Sequence, residues 1–292
     1  MTVAWKISPT AVVAALLCTA QMAMAQDAAQ QAVPARATFD LIGSHSKLSA
    51  GLPDGESLDL RGTWALAGGD VLQAEVLDER KFGDHGGIVG IAYTAVLSPD
   101  WYTTGTVAAG TGGPNWANYR VDAQLSRKWL PSRQLVTSAA LYRAAFDSDR
   151  NDTSMRLSAA WYLDAPVVIE AGVTLNVSQP GRIHSHMPYA SVTFGREGAQ
   201  YLSVRYSEGT EAYQSLGTQA RTVPQPTGSS LAQNWAYWFG SPTELVNFRS
   251  SSASVNWRYW LGPRWGLSAQ AEYYRNPTYH RSTLGAGLFV QW

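Results

Sequence analysis

His280-Arg281-Ser282-Thr283-Leu284-Gly285-Ala286-Gly287-Leu288-Phe289-Val290-Gln291-Trp292 ends the chain and decides its reading. Leu284, Ala286, Leu288, Val290 and Trp292 alternate with Thr283, Gly285, Gly287, Phe289 and Gln291. A period of two is that of a β-strand whose two faces meet different surroundings. One face is apolar to the last residue, and the other is mostly small or polar and, from Thr283 onward, carries no charge. A soluble sheet would turn the apolar face to a core. A transmembrane barrel would turn it to lipid and line its lumen with the other.

Thirteen further segments support the barrel. Fourteen strands are expected: Arg36–Ser46, Glu56–Leu66, Asp70–Lys81, Gly87–Leu97, Trp101–Gly110, Asn118–Trp129, Gln134–Phe146, Ser154–Leu163, Val167–Ser178, His186–Gly195, Gln200–Glu208, Val246–Leu261, Arg264–Arg275 and Arg281–Trp292. Most have roughly the nine to eleven residues a tilted strand needs to cross the hydrocarbon layer. Twelve strands would remain if weak segments such as Arg36–Ser46 did not cross. Tight links such as Ala67-Gly68-Gly69, Ser98-Pro99-Asp100 and Gly262-Pro263 alternate with longer ones such as Leu48–Gly55, Thr111–Trp116 and Gln179–Ser185. Short periplasmic turns, longer external loops and both termini in the periplasm would produce that alternation.

Charge and aromatic placement agree. Leu58, Leu60 and Trp64 share a face opposite Asp59 and Arg61; Met155, Leu157 and Trp161 oppose Arg156; Val255, Trp257 and Tyr259 oppose Arg258. A charge on the lipid side at mid-bilayer would cost about 2–4 kcal/mol. Trp64, Trp101, Trp129, Trp161, Trp257, Trp260, Trp265 and Trp292 cluster near the short turns or the C-terminus, the expected periplasmic aromatic girdle. Tyr119, Tyr142, Tyr206 and Tyr273 are expected to form the outer one.

The chain of 292 residues reads as one domain. Residues 1–25 have the form of a secretory signal peptide: Lys6, an apolar run and Ala23-Met24-Ala25 before Gln26. Residues 26–35 form a polar periplasmic lead-in. Cys18 is the only cysteine, and Leu17 before it is not the small residue a lipoprotein cleavage site needs. The mature chain then lacks thiol chemistry. Removing Lys6 leaves 21 basic against 22 acidic residues, a net charge of −1, with no basic block for nucleic acid.

The signal peptide, the repeated hairpins, Phe194-Gly195-Arg196-Glu197, Tyr206-Ser207-Glu208-Gly209-Thr210-Glu211 and the terminal Phe289-Val290-Gln291-Trp292 resemble the YaiO-type outer-membrane β-barrel proteins. The terminal aromatic also resembles the signal read by the barrel-assembly machinery. The resemblance implies an integral protein of the bacterial outer membrane, surrounded by its lipid, accompanying exopolysaccharide synthesis or export. It implies no catalytic residue and no cofactor.

The expected lumenal set is Asp40, Asp59, Arg61, Glu75, Arg120, Asp122, Arg156, Glu170, Arg205, Arg258 and Glu272. Interleaved charges of both signs would order water and ions in a narrow pore, or would pair as a ladder that fills the barrel. Gly209–Leu245 is too long for an ordinary connection and is expected to act as an external plug or lid. Trp235, Tyr237 and Trp238 within it present flat faces on which sugar rings would stack.

Two other function classes fit parts of the sequence. A rim hydrolase would use His45, His85, His184, His186 or His280 with Asp84, Asp147, Asp149 or Glu208, and His184-Ser185-His186 would also suit a metal. No Gly-x-Ser-x-Gly or His-Glu-x-x-His motif accompanies them, so a non-enzymatic role is expected. A soluble secreted β protein would share the signal peptide and alternation but would not need detergent for extraction.

Overall fold

The computed structural model describes residues 37–147, 149–216 and 244–292. Fourteen antiparallel strands run up and down in chain order and close into a barrel. They are β1 (Ala37–Leu48), β2 (Gly55–Ala65), β3 (Val71–Lys81), β4 (Asp84–Val96), β5 (Trp101–Gly110), β6 (Tyr119–Trp129), β7 (Leu135–Ala145), β8 (Asn151–Tyr162), β9 (Val167–Gln179), β10 (Ile183–Arg196), β11 (Gln200–Ser215), β12 (Glu244–Gly262), β13 (Trp265–Arg275) and β14 (His280–Gln291). The twelve-strand alternative falls, because β1 pairs with β2 on one side and with β14 on the other. Reciprocal bonds between Ala37 and Trp292, at 3.0 and 3.1 Å, close the seam and leave no free edge.

The terminal strand behaves as its alternation predicts. Leu284 is 70% exposed and Leu288 54%, whereas Phe289 is 1% exposed and turned inward. Its small inner residues are required by the seam. A Cβ on Gly287 would lie 2.3 Å from the carbonyl oxygen of Leu41, so only glycine lets β14 approach β1 so closely. Around the barrel, Leu41, Leu60, Val89, Val107, Leu141 and Leu157 continue the exposed apolar belt.

The connections differ from expectation. With the end carrying both termini as periplasmic, the external links are residues 49–54, 82–83, 111–118, 146–150, 180–182, 216–243 and 276–279. Residues 82–83 and 180–182 are as tight as any periplasmic turn, because β4 and β10 each begin three residues before the expected start, pairing Asp84 with Lys81 and Ile183 with Ser178. The expected loop Gly209–Leu245 shrinks likewise: β11 and β12 stay in register up to Ser215 opposite Glu244. Trp235, Tyr237 and Trp238, the signal peptide and the lead-in lie outside the described residues.

Two aromatic assignments are also corrected, both by strand parity. Trp260 lies at the periplasmic end but is 8% exposed and faces inward, packing edge-on to Phe289 at 4.9 Å between ring centres. Tyr142 shares the inward face of β7 with Ala140 and Ala144 and packs over Arg120. Phe39, Trp64 and Trp292 do group at the periplasmic edge, with ring centres 5.2 and 5.3 Å from Phe39.

Candidate functional site

The eleven expected lumenal residues all stand on inward positions, and the barrel gathers them into separate groups rather than one ring. Arg61 bonds both Asp59 and Glu75, the latter at 3.1 Å. Arg120 grips Asp122 with two bonds, at 2.7 and 3.1 Å, a fork geometry that a point charge would not reproduce. Arg156 donates to Gln124 at 2.9 Å. Arg205 lies 3.7 Å from the ring centre of Tyr189, whose hydroxyl donates to Glu170. Arg258 meets Asp40 at 2.9 Å and covers the Phe289 ring at 3.7 Å. Glu272 accepts from Arg281 at 2.5 Å.

Several partners escaped the sequence reading: Gln124, Tyr189, Arg281, and the Glu79–Trp116 bond at 3.2 Å. Parity alone would have placed Arg281 inside, since it is two residues before Thr283 on the same face. Trp116 carries no such signal, because it comes from a loop that folds back over the lumen.

The lumen contains a cavity of about 230 Å³, room for roughly fifteen to twenty waters. Its wall includes Asp59, Arg61, Glu75, Arg120, Glu170, Arg205 and Glu272, joined by Lys81, Arg150 and Arg281. Asp40, Asp122, Arg156 and Arg258 are not part of that wall. Polar and charged groups of both signs therefore face a chamber with room for water.

Packed side chains lie above the chamber and below part of it. Over it, Leu48, Leu52, Phe82, Leu216, Tyr274 and Tyr279 form one buried apolar cluster drawn from strand tops and external turns. Phe82 is fully buried and meets Tyr279 edge-on, with ring centres 5.5 Å apart. It occupies the first position of the two-residue turn Phe82-Gly83 with φ 54°, followed by Gly83 at φ 83°. Left-handed turns normally use Asn, Asp or Gly, so a phenylalanine here is held by the burial of its ring. At the periplasmic end, Gln73, Thr94, Ser126, Val136, Trp260 and Phe289 lie within three residues of a strand end, and none exceeds 8% exposure. On the β8–β11 side the floor is looser: inward Tyr162, Thr193 and Tyr201 are half-buried, and the cavity reaches Ser203, three residues from the periplasmic end of β11.

The five histidines all point outward at the external rim. His85 contacts Asp78 at 2.9 Å, His45 approaches Asp54 at 3.8 Å, and His186 meets the Thr210 hydroxyl at 3.2 Å. His184 lies two residues from His186 on the same face of β10, and His280 packs beside Tyr273. Asp147 organises a loop by accepting from Gly113 and Asn118. Among the described residues, no group of three His, Cys, Asp or Glu side chains is placed to hold a metal ion.

Outside the membrane-spanning strands, Asp70 shows how the periplasmic turns are fastened. It accepts from the Tyr93 hydroxyl and from the Val96 amide at 2.9 Å. Those two bonds, the first foremost, hold its carboxyl below the usual carboxylate range.

Comparison with known proteins agrees with this architecture. A bacterial polysaccharide outer membrane secretin aligns with a TM-score of 0.51 and 9% identity, over 89% of this chain and 100% of its own. An outer membrane channel from Pseudomonas putida F1 gives 0.49 at 9% identity, covering 89% and 97%. A loop-deletion variant of OmpT, an outer membrane protein of Vibrio cholerae, gives 0.48 at 10% identity, covering 88% and 98%. At such identities the likeness concerns the fold alone. No curated protein sequence matches the chain. The YaiO membrane beta barrel domain matches residues 37–214, from the first strand to the top of β11, and the chain thus belongs to the YaiO family of outer-membrane β-barrels.

Proposed function

We propose that this barrel is a non-enzymatic conduit for a polar solute, of the exopolysaccharide class, and is shut at rest. The observation that carries the reading is the chamber itself: a charged space with room for water, beneath an apolar roof and above a partly packed floor. A purely structural lumen would gain nothing from keeping so many ionic groups around water, since paired buried charges add little stability. A conduit needs such groups to replace the hydration of a polar cargo, and needs barriers to keep the outer membrane tight. Polysaccharide is the cargo suggested by the family resemblance. The outward rim histidines have no assigned part in it.

The second reading is a filled structural barrel, favoured by the buried floor. Single-channel recording separates them, using protein expressed without residues 1–25 and refolded into planar bilayers. The conduit reading expects rare openings in the wild type, and frequent ones once Trp260→Ala and Phe289→Ala thin the floor and residues 217–240 are deleted. Silence in every variant would leave the filled barrel. The double variant His184→Ala/His186→Ala should conduct like the wild type, and a loss of function there would revive the rim enzyme.

A further inference from the structure

The outward surface of four neighbouring strands, β12, β13, β14 and β1, carries a row of basic residues with no outward acid among the described side chains of these strands. Arg249, Arg275, His280 and Lys47 are all exposed. Arg275 stands directly opposite His280, and Lys47 opposite Ser282, two residues further along β14. Arg249 is two residues above Ser251, the partner of Arg275 on β12. With neighbouring strands roughly 4.8 Å apart, the row spans about 15 Å of the barrel circumference.

Its height follows from strand geometry. Ten residues separate Arg275 from Trp265 of the periplasmic girdle, or about 33 Å along the strand. A tilt near 40° reduces this to a rise of about 25 Å, the height of the apolar band of such barrels. Arg275 thus emerges where hydrocarbon gives way to lipid headgroups. Tyr273, on the same face one step lower and beside the His280 ring at 6.0 Å, has the place of an interfacial aromatic.

These cations are not spent on neighbours. None of Lys47, Arg249 or Arg275 enters an ion pair among the described residues, whereas His85 on β4 is matched by Asp78. The nearest outward acids flank the row. Glu208 on β11 is already bonded by the Tyr206 hydroxyl at 2.6 Å, Glu56 on β2 stands opposite His45, and Asp54 in the β1–β2 link accepts from the Leu48 amide at 2.9 Å and lies 3.8 Å from His45.

We infer that this row is a binding site for the phosphorylated headgroup of an outer-leaflet glycolipid of the lipid A type. Arginine offers phosphate a two-pronged bond and lysine a mobile point charge. Ser282 and His280 add short donors between them. The acyl chains would then lie along Leu284, Val255 and Ala271 below.

Lipid A binding to the folded protein in detergent, read by native mass spectrometry, tests the assignment. The triple variant Lys47→Gln/Arg249→Gln/Arg275→Gln should weaken binding at least about tenfold. A control triple elsewhere on the rim, Arg80→Gln/Arg143→Gln/Arg182→Gln, should stay within roughly twofold, since it leaves the row intact. Both must keep the mobility shift between boiled and unboiled samples that marks a folded barrel. Monophosphorylated lipid A should bind the wild type less tightly than the diphosphorylated form. Equal losses in the two triples, or no loss in the first, would overturn the site. Full displacement of lipid A by millimolar inorganic phosphate would assign the row to free phosphate instead, which also overturns it.

Discussion

Replacing Phe82 should loosen the roof in an order that runs against habit, with alanine doing more damage than glycine. Phe82 is wholly buried, and truncating such a ring costs about 3–5 kcal/mol. Its backbone has φ 54°, a left-handed conformation that charges any side chain with a Cβ roughly 1–2 kcal/mol. Phe82→Ala loses the ring and retains that penalty. Phe82→Gly loses the same ring but sheds the penalty, for a net cost near 2–3 kcal/mol. If the roof opens as a unit, the glycine variant should be open roughly 30- to 140-fold more often than the wild type, at 1.4 kcal/mol per tenfold. The alanine variant should exceed it by about another factor of ten.

A cysteine placed inside the chamber reads this out. Ser191 lines the cavity and is 8% exposed, and Cys18 is the only native cysteine, so Ser191→Cys in protein lacking residues 1–25 gives one thiol behind the roof. Its reaction rate with a charged, membrane-impermeant thiol reagent added outside should rise in the order wild type, Phe82→Gly, Phe82→Ala. Equal rates in all three would mean the cluster is no barrier. A faster rate for glycine than alanine would mean that the turn, not the ring, sets the opening.

Three further outcomes follow from the packing. Arg258→Gln and Asp40→Asn should each destabilise the barrel by about 3 kcal/mol, less whatever solvent reaches the pair, while the double variant recovers much of the loss, because each single change strands a buried charge; urea unfolding in detergent measures the cycle. Asp70→Asn should lower the urea midpoint at neutral pH. The Asp70 carboxyl is held below its unfolded value near 3.9, so its contribution is present above that pH and disappears as pH falls through the folded value, and variant and wild type should converge in acid. Gly287→Val would drive a side chain into the Leu41 carbonyl and should lower the fraction of heat-shifting barrel on gels, while Ala286→Val on the lipid face should not.

What the sequence made legible was what strand parity governs. Leu284, Leu288 and Val290 announce a lipid face by alternation alone, and the same count puts Asp59, Arg61 and Arg258 inside. Trp260 and Tyr142 were misjudged where height along the strand was allowed to outrank parity; the count of two from Arg258 and from Ala140 already places both inward. Other features were beyond local pattern. Nothing in Lys81-Phe82-Gly83-Asp84 marks a ring that will fold over the mouth, since that depends on Tyr279 and Leu52 arriving from turns far away in the chain. The pairing of Arg156 with Gln124, or Arg205 with Tyr189, depends on which strands are neighbours and at what register, which alternation does not specify.

That division also separates the two working surfaces. The outer face is dictated residue by residue by the bilayer, so its basic row can be located by counting ten positions up from Trp265 to Arg275. The lumen answers to no such ruler. Its charges need partners, and alternation does not say which. The particular arrangement present, with a charged chamber above Asp40–Arg258 and packed side chains around that pair, is therefore where selection for a cargo would leave its mark. Exchanging the partners of the floor pair, Asp40→Arg with Arg258→Asp, should keep the barrel folded while reversing the local field. If the solute is merely tolerated by the lumen, passage through a floor thinned at Trp260 will be unchanged; if the lumen reads the charge of its cargo, the preference between anionic and neutral oligosaccharides will move with the swap.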